Sequence, residues 1–234
     1  MVQLIFTSGD APSLSNLKAA LSFLLKSSNS TKSDLSNFDF KKSDFFVIAA
    51  DSGAQAAFDA GFTPNLIVGD MDSISKELLE NFKALKIQTD IYPTNKDDSD
   101  TVLALKSSSK NSRCKTILIG GGGGREDHLF ALLKEMESDY APDYWITANS
   151  IIYNLKTKGA FKIALPLAST LSIFFTANKT KIKTTGLKWE LTSRLCRKIN
   201  YSLSNLTQTE NVSIKILAGK AIVAIGLESI GKTT

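Results

Sequence analysis

The chain has 234 residues, 43% of them hydrophobic, and a formal net charge of +5, which suits one large domain or two modest ones with a real core. The positive charge is scattered rather than gathered into a long basic block, so nucleic-acid binding is not indicated. Cys114 and Cys196 lie far apart and outside any CxxC spacing, which argues against a disulfide framework or a zinc site and for a reducing compartment.

Val2 to Thr7 reads as a first core strand rather than a signal peptide, since no basic segment precedes it and polarity returns within a few residues. No apolar run approaches the ~20 residues that span a bilayer. A soluble, cytoplasmic protein without membrane or nucleic-acid partners is expected. Leu14, Leu17, Leu21, Leu24 and Leu25 then recur at helical spacing behind Pro12. Residues 27–42 are rich in Ser, Asn, Asp and Lys and read as an exposed insertion. Phe45 to Ala50 is a buried-type strand, Ala54 to Ala60 a short helix and Leu66 to Val68 another strand. A helix over Lys76 to Leu85, a strand over Ile87 to Tyr92 and a helix over Asp100 to Ser107 follow. Thr116 to Ile119 then reads as a strand, Asp127 to Glu137 as a helix and Tyr144 to Thr147 as a last strand. Such alternation predicts an α/β domain over 1–149, a parallel sheet with helices on both faces.

Beyond residue 150 helical periodicity fades. Phe161 to Leu165, Thr170 to Thr176, Lys181 to Thr185, Val212 to Leu217 and Ala221 to Ile225 read as short strands with Gly, Asn and Thr turns between them. A second, all-β domain is expected over 150–234. Lys179, Lys181 and Lys183 alternate, as on the solvated face of a strand.

Three polar clusters carry the chemistry, each where a predicted strand gives way to a loop, the place where open α/β sheets bind ligands. In Gly69-Asp70-Met71-Asp72-Ser73, Asp70 and Asp72 are two apart in what is expected to be extended chain, so both side chains leave one side. Magnesium takes one or two carboxylates plus substrate phosphates; the plain alternative is a turn in which Asp72 or Ser73 caps the next helix. In Lys96-Asp97-Asp98-Ser99-Asp100, three carboxylates within four positions exceed what capping needs and repel one another unless a cation relieves them. Lys96 can meet a phosphate or neutralise the cluster. Gly120 to Gly124 lets backbone amides approach an anion, and Arg125 can grip a phosphate with both arms. His128 is the single histidine, so no metal cluster can be built on imidazoles. Residues 226–233 match the GxxxxGK[ST] pattern, but that loop works only when it opens a helix, and one residue follows it here.

In order, these clusters resemble the thiamine pyrophosphokinase family. The matching segments are Ala50 to Ala54, Pro64 to Ser73, Pro93 to Asp100 and Gly123 to His128. They continue with Thr185-Gly186-Leu187-Lys188-Trp189 and Ser202-Leu203-Ser204-Asn205. Ser52 stands where the family often has glycine, Ser99 where it usually has Thr, and the glycine run is longer than usual.

The resemblance implies a Rossmann-like α/β domain, a C-terminal β-sandwich and a homodimer with active sites between subunits. It implies transfer of the terminal pyrophosphate of ATP, as its Mg2+ complex, to thiamine, giving thiamine diphosphate and AMP. By position, Asp70, Asp72 and Asp100 would hold the magnesium, with Asp97 nearby. Arg125, Asp127 and Lys96 would serve the nucleotide side, and Asp51 would line the same cleft. Trp189, Ser202, Ser204 and Asn205 would sit near thiamine. Asp97 or Asp127 is the expected proton acceptor. Competing readings are phosphoryl or glycosyl transfer from another nucleotide on a related sheet, and a non-enzymatic thiamine- or nucleotide-binding regulator.

Overall fold

A computed structural model describes residues 2–28, 44–111, 113–192 and 194–230. The chain divides into two compact units, Met1–Leu14 with Asp39–Ala148 and Ser15–Phe38 with Asn149–Thr234.

In the first unit, six strands form a parallel array. They are β1 (Val2–Phe6), β2 (Phe45–Ala50), β3 (Leu66–Gly69), β4 (Gln88–Ile91), β5 (Lys115–Ile119) and β6 (Tyr144–Ile146). Their order is β6-β5-β1-β2-β3-β4, with every pairing parallel. β1, β2 and β3 are almost wholly buried and read as unbroken apolar runs, as strands covered on both faces must. β4, Gln88-Thr89-Asp90-Ile91, lies at the end of this order and is mostly exposed, with polar residues suited to an edge.

Four helices connect the strands: α2 (Gly53–Asp59), α3 (Lys76–Ala84), α4 (Asp100–Ser109) and α5 (Glu126–Glu135). Ala49, Ala54 and Ile67 pack with Ile74, Leu78 and Phe82, so α2 and α3 bury their apolar stripes on β2 and β3. A buried polar contact fixes α4: Ser108 Oγ donates to Gln3 Oε1 at 2.5 Å and meets Thr116 Oγ1 at 2.9 Å. Strand order reverses direction at β1, between β5 and β2, and ligands of such sheets gather at the carboxyl ends beside that reversal.

The second unit holds two antiparallel arrays. One has the order β12-β9-β14-β7, from β7 (Ser150–Leu155), β9 (Thr170–Phe175), β12 (Tyr201–Leu206) and β14 (Ala221–Gly226). The other, β11-β10-β13-β8, comprises β8 (Gly159–Ala164), β10 (Thr180–Thr185), β11 (Arg194–Cys196) and β13 (Asn211–Ala218). β10 alternates buried and exposed residues, with Lys181 and Lys183 outward as the period-2 pattern predicts. Helix α1 (Leu14–Ser28), which buries Leu17, Ala20, Leu21 and Leu24, counts with this unit.

Sequence periodicity missed β7 and β11. It also missed β12, which holds Ser202 to Asn205 and is bent by a bulge between those two residues. After β14 comes one 3-10 turn, Leu227–Ser229; residues 231–233 of the GxxxxGK[ST] match, and 29–42 of the polar insertion, lie outside the described residues. Among the described residues no helix is long and apolar enough to cross a membrane.

Candidate active site

Parallel pairing brings the carboxyl ends of β2 and β3 side by side, with Ala50 opposite Val68. Asp51 and Asp70 therefore leave neighbouring strand ends. Asp51 is anchored where its N–H donates to the Val68 carbonyl at 2.9 Å. Its φ of 45° is left-handed, a region Asp tolerates better than most residues. Asp100 arrives from the other direction, as the first residue of α4. Ser99 caps that helix by accepting from the Val102 N–H at 3.3 Å, and Thr101 Oγ1 meets Thr7 Oγ1 at 2.5 Å, tying the first turn to the end of β1.

One ligand atom from each of Asp51, Asp70 and Asp100 lies within 4.8 Å of the others, a convergence found once among the described residues. Gly69 makes it possible. Its φ is +145°, and a Cβ there would stand 3.0 Å from Asp100 Cγ and 3.1 Å from Asp51 Cβ.

Lys96 reaches into this cup. Its Nζ lies 3.1 Å from Asp100 Oδ1 and 3.4 Å from Asp70 Oδ2. Burial pulls the Lys96 pKa down, but Asp100 and Asp70 together more than reverse that and leave it raised. Burial raises Asp100 and outweighs the Lys96 ammonium. Asp70 is lowered, first by the Asp72 N–H and then, against burial, by Lys96. Two neighbouring carboxylates are thus driven in opposite directions.

Asp51 Oδ1 is buried and accepts no hydrogen bond, and Asp100 Oδ1 has only the Lys96 ammonium. Converging oxygens with unused lone pairs fit a hard divalent cation such as magnesium.

Asp72 lies outside this group. The expected extended run from Asp70 to Asp72 is corrected: β3 ends at Gly69 and Met71 turns left-handed at φ 64°. The Asp72 N–H donates to Asp70 Oδ1 at 3.4 Å, while its side chain is exposed and accepts from Ser73 Oγ at 2.8 Å. Neither Asp72 nor Ser73 caps α3; Ser75 does. Asp97 is exposed, and Asp98 pairs with Lys106 at 2.6 Å.

The glycine run follows β5. Gly120 accepts from Trp145 Nε1 at 2.6 Å, and Gly122 bridges to Asp10 in the loop after β1. Arg125 and Asp127 are both exposed and form a fork, Nε donating to Oδ1 at 3.1 Å and NH2 to Oδ2 at 2.5 Å. That fork holds the Asp127 carboxyl below its usual range. His128 is exposed.

In the second unit, Trp189 is 54% exposed, with Lys188 Nζ 4.8 Å over its ring. Asn205 is fully buried and bonded to the Trp189 backbone and to Ser202 Oγ. Glu190 secures the same turn from its far side, accepting from Leu187 N–H at 2.9 Å and from Thr184 Oγ1 at 2.5 Å. Ser204 is exposed at φ 52°, its N–H donating to Ser172 Oγ.

Residues 39–146 match the family model for the catalytic domain of thiamin pyrophosphokinase. Over this segment, a little under half of the chain, the protein is similar to that family's catalytic domain. The activity which that description names is the pyrophosphorylation of thiamine, the work of an enzyme.

Solved structures agree on the fold. A thiamin pyrophosphokinase family protein from Enterococcus faecalis superposes with a TM-score of 0.72 at 20% identity, covering 97% of this chain and 99% of that one. Thiamin pyrophosphokinase from Geobacillus thermodenitrificans gives 0.70 at 20% identity, with 97% of each chain covered. The Candida albicans enzyme gives 0.66 at 17% identity, covering 96% of this chain and 89% of that one. No curated protein matches the chain significantly.

Sequence reasoning gave Asp51 only a place in the cleft, although it ends an apolar strand as Asp70 does. Thr7, Thr101 and Glu190 went unremarked. The two threonines are 94 residues apart, so no local pattern could have joined them.

Proposed function

We propose that this chain transfers the pyrophosphoryl group of ATP to thiamine, with Asp51, Asp70 and Asp100 holding the magnesium of the nucleotide complex. The observation that carries this is the convergence of three carboxylates from separate loops, with a buried Asp51 oxygen that accepts no hydrogen bond and a buried Asp100 oxygen met only by the Lys96 ammonium. Magnesium, when bound, neutralises phosphate charge as the reaction proceeds. Asp72, one residue beyond the strand-end turn, supports Asp70 through its N–H.

Arg125 exchanges its fork on Asp127 for a two-armed grip on phosphate, a geometry suited equally to both partners. The thiamine hydroxyl oxygen bonds to the β-phosphorus, the bond from that phosphorus to the α,β-bridging oxygen breaks, and AMP leaves. The hydroxyl proton passes to a carboxylate. Asp97, exposed and three residues before Asp100 in the chain, is the acceptor we favour.

In the second unit, Trp189 offers a ring face to thiamine, with Ser202 and Ser204 at its rim and Asn205 holding the turn. The two antiparallel arrays are read as the layers of a β-sandwich, residues 150–234, that also mediates a homodimer in which active sites lie between subunits. Residues 1–149 form the nucleotide- and metal-binding part. The cytoplasm is the expected location.

Incubation with ATP, magnesium and thiamine, followed by chromatography, tests the reaction. Thiamine-dependent AMP with matching thiamine diphosphate is expected. ADP with thiamine monophosphate would make the chain a simple kinase, and neither product from a folded sample would remove the reading.

A further inference from the structure

Lys96 is placed where the acidic cup already has a cation. Its ammonium lies 3.1 Å from Asp100 Oδ1 and 3.4 Å from Asp70 Oδ2, so it serves two of the three convergent carboxylates. Its side chain is only 14% exposed, which leaves solvent little share in stabilising the charge. Asp51 is the one member of the three that Lys96 does not neutralise, and its buried Oδ1 accepts no hydrogen bond.

A divalent ion binds carboxylate oxygens at about 2.0–2.1 Å. On these same oxygens it would face the ammonium across a few ångströms in a partly buried site, where like charges repel strongly. The ammonium must therefore leave before such an ion can settle. Free metal offers it no new partner. A metal–nucleotide complex does, because the phosphates arrive with the ion and the Lys96 stem is long and flexible.

We propose that Lys96 is a resident cation that discriminates between forms of the metal, opposing entry of a free divalent ion and yielding to an ion that arrives with a nucleotide triphosphate. The proposal rests on the reading that Asp51, Asp70 and Asp100 hold metal. Lys96 is here a positioning residue: it keeps the carboxylates together while the cup waits, and it couples metal binding to nucleotide binding. Such coupling is reciprocal, so the nucleotide improves metal affinity by the factor that the metal improves nucleotide affinity.

The test is binding, without turnover. Mn2+ is titrated into the full chain at fixed pH and ionic strength, followed by electron paramagnetic resonance, alone and with α,β-methylene ATP, whose bridging carbon blocks the bond that breaks. Lys96→Met is expected to tighten binding of free Mn2+ by about tenfold, a typical coupling factor, while the Mn2+–nucleotide complex binds no more tightly than to the unaltered chain. Lys96→Arg, which keeps the charge, should stay near the unaltered value. Free Mn2+ binding that is unchanged or weaker in Lys96→Met overturns the proposal.

Should Lys96→Met fail to fold, reductive methylation of the unaltered chain, read by mass spectrometry, decides. Saturating Mn2+ should increase labelling of Lys96, and unchanged labelling overturns the proposal. Asp51→Asn separates the two readings. If it leaves Mn2+ binding intact, the three carboxylates do not hold metal and both readings fall; if it abolishes binding while Lys96→Met changes nothing, only the role of Lys96 falls.

Discussion

Asn205 bonds to both backbone groups of Trp189, its Oδ1 accepting from the Trp189 N–H at 3.1 Å and its Nδ2 donating to the Trp189 carbonyl at 2.8 Å. The same Oδ1 accepts from the Leu206 N–H at 2.9 Å, and the same Nδ2 donates to Ser202 Oγ at 3.1 Å. A fully buried amide thereby fixes the turn that presents an exposed indole. Substitutions at the two positions should therefore behave differently.

Trp189→Ala is expected to raise KM for thiamine about tenfold, the order of one lost aromatic stacking contact, and to leave the melting temperature almost unchanged. Asn205→Ala should cost about 2 kcal/mol or more by orphaning buried backbone groups and should raise the same KM through the displaced turn. Steady-state kinetics beside thermal unfolding distinguishes them; a large loss of stability in Trp189→Ala would contradict this division.

Asp51→Asn should exchange activity for stability. Asn accepts the left-handed backbone that Asp51 adopts, and the change removes one of three clustered carboxylates. Calorimetry without metal should show a gain of about 1 kcal/mol, or ~2–4 °C in a chain of this size. Turnover should fall by at least about a hundredfold, as expected when a preorganised charge-binding group is lost.

Gly69→Ala should be damaging because the added methyl group meets the carboxylates themselves. Its Cβ would meet Asp100 Cγ at 3.0 Å and Asp51 Cβ at 3.1 Å from a backbone at φ +145°. A cost of about 1–3 kcal/mol is expected from the strained backbone, with Mn2+ binding weakened because the carboxylates are pushed apart. Unaltered metal affinity would show that the cup tolerates a methyl group.

The opposed shifts at Asp70 and Asp100 separate on the pH scale. Burial raises Asp100, so its ionisation destabilises the metal-free fold: the stability it contributes is fully present below the ordinary 3.8 and is lost as pH rises through the raised folded value. Asp70 is lowered by the Asp72 N–H, so its contribution is present above 3.8 and is lost as pH falls through the lowered folded value. A carboxyl-carbon NMR titration of the metal-free chain should find Asp100 protonating first on acidification. Asp70 protonating first would overturn the assignment of causes.

Arg125→Ala should return the Asp127 carboxyl upward to its ordinary range, since the fork is the main cause of its depression. Both side chains are exposed, so thermal stability should hold while KM for ATP rises. The same NMR titration and initial-rate kinetics check both halves.

Much of the fold was legible because its determinants are local. Phe45 to Ala50 and Leu66 to Gly69 are short apolar runs that only a covered strand can use, and the leucines of α1 recur at helical spacing. β12 was not legible: Tyr201-Ser202-Leu203-Ser204-Asn205 is polar and bulged, and its strand character comes from pairing with β9, which no local pattern reveals.

The sequence by itself determined the chemical inventory and the family resemblance: carboxylates after apolar runs, glycines before Arg125, and an ordered set of motifs. Only the tertiary structure decided which carboxylates meet. Asp70 and Asp72 are neighbours in the chain, yet the left-handed Met71 leaves Asp72 outside the convergent group. Asp51 and Asp100 are 49 positions apart in number, and parallel pairing with a capped α4 brings them together. Sequence spacing sets what a chain can offer, whereas strand register and backbone handedness set where each oxygen ends up.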